Sequence, residues 1–241
     1  MTYEFLQAVV YCGISVVFIM AEFFKPAKKL NLRDCVARDI IAALVAGIMF
    51  ALAAYLLSDL YQAHLLYAHL KDIPVVIRVA LFYLLADFGA YWIHRLMHTK
   101  IFWKTHWWHH APKYIYWLSG ARASAAQILL TSLPIIIAWP LMFDLPAWLY
   151  IAMYAELIFR NHWMHANVAI HSRFIEWVFI TPTYHRVHHS NDSQYYNKNF
   201  AVLFTFWDRV FGTYQDPSKI NKEFALGVHG KNKQIKMILG V

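Results

Sequence analysis

The chain predicts an all-α polytopic membrane protein, with about four spanning helices and a cytoplasmic helical cap that carries boxes of histidine. Three observations lead to this class. The 241 residues are 60% hydrophobic and only 15% charged, which is too apolar for a typical soluble domain. The apolar residues gather in stretches close to the ~20 residues that a helix needs to cross a hydrocarbon core of about 30 Å. Eleven of the 14 histidines fall in two windows, 94–110 and 162–189, mostly at spacings of three and four. We read residues 1–241 as one membrane-embedded domain: N-terminal spans and loops over 1–73, a histidine-box core over 74–214 and a tail over 215–241.

Residues 5–24 form the first expected span. Met1 to Glu4 carry no Lys or Arg and no small-residue cleavage site follows, so the segment reads as a retained anchor rather than a secretory signal. Lys25, Lys28, Lys29, Arg33 and Arg38 make the next loop basic, hence cytoplasmic by the positive-inside rule. Residues 40–57 return across, and the weakly charged segment 58–73 holds His64 and His69. Pro74 can open a third helix, since its missing N–H would be unpaired in a first turn. Residues 75–93 are apolar apart from Arg78 and Asp87, and run without a break into His94 and His98.

Residues 100–124 are aromatic and basic, as expected at headgroup level. Residues 126–143, interrupted by Pro134 and Pro140, and 147–159 form either two full spans or a re-entrant hairpin. Both options bring Arg160 back to the basic side, where from Arg160 onward there are ten Lys or Arg residues and no further span. The three basic regions hold 20 of the 22 Lys and Arg residues, so charge and box placement agree on a cytoplasmic cap and C-terminus. Within the cap, 174–180 reads as a short interfacial helix, and Thr181-Pro182-Thr183 as the start of a helix carrying His185, His188 and His189. The net charge of +8 serves topology, since no nucleic-acid module surrounds it. Cys12 and Cys35 form neither a disulfide framework nor a metal motif.

On helices, positions i, i+3 and i+4 share a face, so each box is expected to aim its imidazoles at one point. A buried imidazole cluster without a metal would strand polar atoms at ~1–3 kcal/mol each. Imidazole suits iron, zinc, copper and nickel, and nine or ten are too many for one ion but suit two. Asp87, two turns before His94, reads either as a paired charge within the span or as an acceptor for a ligand N–H. Glu156 reads as the partner of Arg160, Asn161, Asn167 and Asn191 as caps or as donors near the ligands, and Trp207-Asp208-Arg209 as a structural clamp.

The His-x3-His and two His-x2-His-His boxes on a multi-span frame resemble the fatty acid hydroxylase / sterol desaturase superfamily of integral-membrane di-iron oxygenases. The resemblance runs over about residues 84–214. It includes Asp87-Phe88, Tyr91-Trp92-Ile93-His94-Arg95, His165-Ala166-Asn167-Val168, Thr181-Pro182 before His185-Arg186-Val187-His188-His189-Ser190, and Phe206-Trp207-Asp208-Arg209-Val210-Phe211-Gly212-Thr213-Tyr214. It implies His94, His98, His106, His109, His110, His165, His185, His188 and His189 as metal ligands and catalytic residues, with His162 as a tenth ligand. It also implies two iron ions, open to replacement by zinc during overexpression.

The implied reaction is hydroxylation or desaturation of a lipid such as a fatty acyl chain or sterol with O2. The chain has no recognisable haem or flavin domain, so electrons would come from a separate donor, a b-type cytochrome or a ferredoxin with its reductase. The setting would be a bacterial inner membrane or the endoplasmic reticulum membrane. Ala111-Pro112 and Asn197-Lys198-Asn199-Phe200-Ala201 depart from the common family pattern where substrate contacts are expected, so substrate identity does not transfer. The competing readings are a membrane zinc hydrolase and a metal transporter or sensor. A transporter would spread polar residues through the spans, whereas these histidines gather at one end.

Overall fold

The computed structural model describes residues 2–31, 36–56, 70–220, 225–228 and 234–241. Most of the segment 58–73, with His64 and His69, lies outside them, as do Cys35 and His229. The described residues form α1 (Tyr3–Phe24), α2 (Val36–Leu56), α3 (Val75–Met97), α4 (Trp103–His110), α5 (Ala125–Ala138), α6 (Ala147–His165), α7 (Pro182–His188), α8 (Phe206–Val210) and α9 (Gln234–Leu239). Short 3-10 turns join them, and among the described residues the only β pairings are two isolated bridges, Phe179 with Phe204 and Ser190 with Leu226.

Among the described residues, three stretches are long and apolar enough to cross a membrane: α1, α3, and α5 continued by the 3-10 turn to Met142. Helix α1 has 22 residues, about 33 Å at 1.5 Å each, and Thr2 caps it by accepting the Phe5 N–H. Helix α2, expected as the second span, has 21 residues. Large apolar side chains stand out from all of these helices: Phe5, Val17, Leu44, Ile48, Val76 and Ile137 are each more than half exposed. Leaving one such side chain in water forfeits about 1.5–3 kcal/mol, so these faces call for a hydrocarbon surround.

The segment 126–159 forms two long helices. Pro134 is tolerated within α5, and Pro140, which cannot donate to a preceding carbonyl, lies where the helix tightens into the 3-10 turn Trp139–Met142. Asp144 then takes a left-handed conformation (φ 54°) and Pro146 precedes the first turn of the 19-residue α6. Helix α3 packs against α5, and α1 against α6. At the first contact Gly89 lies so close to Pro134 that a Cβ would come within 2.7 Å of the ring. Buried Arg78 reaches the end of this pair and donates to the Phe143 carbonyl.

Asp87 makes no hydrogen bond to a box histidine. Its Oδ2 accepts from the Phe204 N–H and the Trp207 indole N–H, both at 3.0 Å, and so moors α8 and the preceding loop to α3. Glu156 pairs with Arg160 at 2.7 Å, as its spacing predicts, and also accepts from the Tyr83 hydroxyl. In the stretch 174–180 the helical part is the single 3-10 turn Ile175–Trp177. Phe174 and Trp177 point outward from it, whereas Glu176 is fully buried.

Candidate metal centre

The histidine boxes occupy the ends of four helices. His94 lies in the last turn of α3 and His98 caps it; His106, His109 and His110 lie on α4; His165 ends α6; His185 and His188 lie on α7, with His189 as its cap. Helix α7 starts where Thr181-Pro182 predicts, the Thr181 hydroxyl accepting from the Tyr184 N–H. Nine imidazoles come together in two groups: His94, His98, His106, His110 and His188 in one, His109, His165, His185 and His189 in the other. Within each group one ring nitrogen of every histidine lies within 4.8 Å of all the others.

Each His-x2-His-His box is therefore divided between two points instead of aiming at one. At 3.6 residues per turn, i and i+4 differ by only about 40°, whereas i+3 and i+4 differ by about 100°. His106 and His110 accordingly share the first group while His109 turns to the second. On α7 the pattern is reversed, His185 and His189 joining the second group and His188 the first. His162 joins neither. Its Nε2 lies 3.0 Å from the Ser15 hydroxyl of α1, and its ring sits among Tyr11, Phe18 and Trp117. The i, i+3 spacing to His165 does not bring the two together because three residues turn the side chain by about 60° away from the histidine groups.

Backbone carbonyls set the tautomer of four of these histidines. The Nδ1–H groups of His94, His109, His165 and His188 donate to the carbonyls of Phe200 (2.7 Å), Arg122 (3.0 Å), Asn161 (2.8 Å) and Lys198 (2.9 Å). Their Nε2 atoms then carry lone pairs only. Yet the Nε2 atoms of His109 and His165 face each other at 3.3 Å, where two lone pairs repel. Other Nε2 pairs approach similarly, His94 to His106 and His188 to His110 at 3.1 Å, His185 to His165 at 3.2 Å and to His189 at 3.1 Å. Nitrogens that share an ion at about 2.1 Å lie ~3.0–3.4 Å apart for angles between 90° and tetrahedral. The donor set therefore fits two bound cations, and the buried His98 Nε2, which has no hydrogen-bond partner, fits the same role.

Burial keeps the rings neutral, the form a metal requires. It pushes His109 down to about 4 and His98, His106, His110, His165, His185, His188 and His189 well below the usual range, with neighbouring imidazoles adding to the effect in all but His109. Among the described residues, no acidic side chain belongs to either group.

Residues that spacing did not reveal hold these rings. Asp39 of α2 forms a buried ion pair with Arg122, whose carbonyl receives His109, and Asp39 also accepts from the Tyr116 hydroxyl at 2.5 Å. Glu22 of α1 accepts from the backbone N–H groups of Trp117 and Asn167, both at 2.8 Å. The 3-10 turn Trp117–Ala121 sets Gly120 against the His165 ring, leaving no room for a Cβ. A carboxylate at the edge of an apolar run was the available signal for Glu22 and Asp39, but the sequence does not say which partner each meets. The side chains of Asn167 and Asn191 meet Lys28 and Tyr196 rather than a ligand, and Asn161 serves His165 through its carbonyl.

The first group is reached from outside by a cleft of about 330 Å³ that ends on His98, His110 and His188. Trp103 and Trp107 form one side, and Ser190, Asn191, Tyr196, Asn197, Gly227 and Val228 the rest.

Comparison with known proteins places the same region in one family. The fatty acid hydroxylase family model matches residues 79–213, more than half of the chain. The human alkylglycerol monooxygenase is 32% identical over 130 residues, covering 54% of this chain and 28% of that protein. The ornithine lipid hydroxylase OlsE of Rhizobium tropici is 29% identical over 163 residues, 66% of this chain and 47% of the relative. Mouse lathosterol oxidase is 27% identical over 204 residues, 78% of this chain and 64% of the relative. The chain thus spans less than half the length of the first two relatives. No solved structure matches it.

Proposed function

The chain belongs to the fatty acid hydroxylase family, and on that premise we propose that it is a membrane-bound, iron-dependent oxygenase that hydroxylates or desaturates an unactivated C–H bond of a lipid. The observation that carries this reading is the pair of buried imidazole groups, in one of which the Nε2 lone pairs of His109 and His165 face each other at 3.3 Å with no proton between them. His94, His98, His106, His110 and His188 would hold one ion, and His109, His165, His185 and His189 the other. When bound, two iron ions supply the redox chemistry that activates dioxygen for attack on a C–H bond.

The chain's own residues position and enclose. Carbonyls of Phe200, Arg122, Asn161 and Lys198 fix ring orientation and tautomer, the kind of outer support that keeps ligands aimed. Burial of the nine rings excludes bulk water, and the cleft admits substrate beside His98, His110 and His188. In hydroxylation one oxygen atom enters the C–H bond and the other leaves as water, which consumes two electrons and two protons. A separate redox protein would deliver the electrons, and the basic face carrying Lys100, Lys104 and Lys113 suits an acidic carrier. The same charge distribution supports a cytoplasmic placement of boxes and C-terminus.

Metal content of the detergent-purified chain tests the reading. The expectation is about two irons per chain, removed in the H109A/H188A variant because each substitution strikes a different group, together with an oxygen-dependent change in the lipids of expressing cells. Zinc in place of iron calls for reconstitution with iron before product analysis. A folded preparation that binds no metal under any loading condition would refute the assignment.

A further inference from the structure

Among the described residues, the wall of the cleft carries no Asp, Glu, Lys or Arg. It is nevertheless rich in hydrogen-bonding groups. The Ser190 hydroxyl oxygen accepts from the Asp192 N–H, which leaves its own hydrogen to donate. Asn191 uses its Oδ1 to accept from the Tyr196 hydroxyl at 3.0 Å, while its amide N–H groups have no partner among the described residues. The Asn197 side chain makes no hydrogen bond among them either, and its left-handed backbone (φ 58°) holds it at the lip. Trp103 also lines the cleft and packs on the rings of His98 and His110, which stand at its inner end with His188.

Position and size limit what can enter. His98 caps α3 just beyond the stretch that is apolar enough to span, so the cleft opens at the level of lipid headgroups. A volume of about 330 Å³ is at the small end of ligand sites, roughly 300–1,000 Å³. It accepts one end of a lipid and leaves the rest outside. The two cations, surrounded by neutral imidazoles, would draw a free carboxylate or phosphate onto themselves, whereas an uncharged hydroxyl, ether or amide is held by the wall.

We propose that this cleft binds the headgroup end of the lipid and selects a substrate whose reactive C–H lies within a few bonds of an uncharged hydrogen-bonding group. Asn191 and Asn197 are the specificity-determining residues. This rests on the oxygenase reading for the word substrate, but the binding preference itself needs no turnover.

The test is binding of 1-O-octylglycerol, octanoate and octyl phosphate to the full chain in lipid nanodiscs, read by calorimetry, with metal content measured on the same sample. Two variants define cleft-specific binding: N191A, and N197G, which removes the amide while keeping the left-handed backbone. The glycerol ether is expected to bind saturably and to lose about tenfold in affinity in each variant. Equal or tighter cleft-specific binding of either anion, or full binding of the ether by both folded variants, would overturn the proposal. Iron-replete protein without discrimination would sink the cleft assignment alone. Discrimination by a folded chain that never takes up metal would sink the oxygenase reading alone.

Discussion

His109 donates its Nδ1 hydrogen to the carbonyl of Arg122, and the Arg122 side chain is held by Asp39, which lies on a different helix and touches no ligand. The three residues make a path by which α2 orients a ring of the four-histidine group. Removing one member of a buried ion pair costs ~3–5 kcal/mol because the other charge is left uncompensated, a large share of a total stability of about 5–15 kcal/mol. Asp39→Asn is the informative change, since the amide can still accept from Tyr116 while the charge on Arg122 loses its partner. The expected outcome is metal content falling from two ions toward one per folded chain, with the five-histidine group still loaded. Gly120→Ala reaches the same group by another route, as its Cβ would overlap the His165 ring. It should also remove one ion, whereas Gly89→Ala, at the α3–α5 contact, should lower thermal stability without changing the metal ratio. Elemental analysis of the monodisperse fraction reads all three.

The loop before α8 does for the other group what Arg122 does for this one. Alternate carbonyls, Lys198 and Phe200, point to one side and receive His188 and His94. Asn199 between them adopts φ 57°, and its side chain is fully engaged with the carbonyls of Tyr184 and Gln215 and the N–H of Gln215. Asp208 of α8 closes the arrangement by accepting from the N–H groups of Phe200 and Ala201 and the hydroxyls of Thr213 and Tyr184. The Trp207-Asp208-Arg209 clamp was legible as a structural unit; that it holds the His94 and His188 rings through a loop was not, because the loop's conformation depends on amide bonds to residues 15 and 16 positions away. Backbone and side-chain contributions can be separated here. Asn199→Gly relieves the left-handed strain of about 1–2 kcal/mol that any other residue pays but loses the amide bonds, and Asn199→Ala loses both. Melting temperatures should therefore fall in the order wild type, Gly, Ala, and the five-histidine ion should be released first from the Ala variant under a chelator.

At the scale of the whole molecule, what could be read in advance was whatever repeats along one helix: apolar length, helix starts at Pro74 and Thr181, and the gathering of nine of the ten singled-out histidines. What could not be read depends on how helices turn toward one another. The tenth histidine, His162, faces α1 because α6 packs there, and Asp87 meets α8 instead of a ligand for the same reason. The division of nine rings into two groups is likewise a property of the packed bundle, and it has a consequence for acid stability. In the unfolded chain the imidazoles titrate near ~6.5; in the fold, burial holds His109 down to about 4 and its seven neighbours outside the span well below the usual range. Below ~6.5 the unfolded chain therefore binds more protons than the folded one, so stability falls as pH falls. Each such ring contributes up to about 1.4 kcal/mol per pH unit, and several acting together exhaust a typical total of 5–15 kcal/mol within one to two units. Metal-free protein should accordingly keep its fold at pH 7.5 and lose it cooperatively between about pH 6.5 and 5, with the metal-loaded form shifted to lower pH because bound ions must first be displaced by protons. Tryptophan fluorescence against pH, with and without metal, checks this; an unfolding midpoint that is independent of metal would mean that the nine rings are not a shared site.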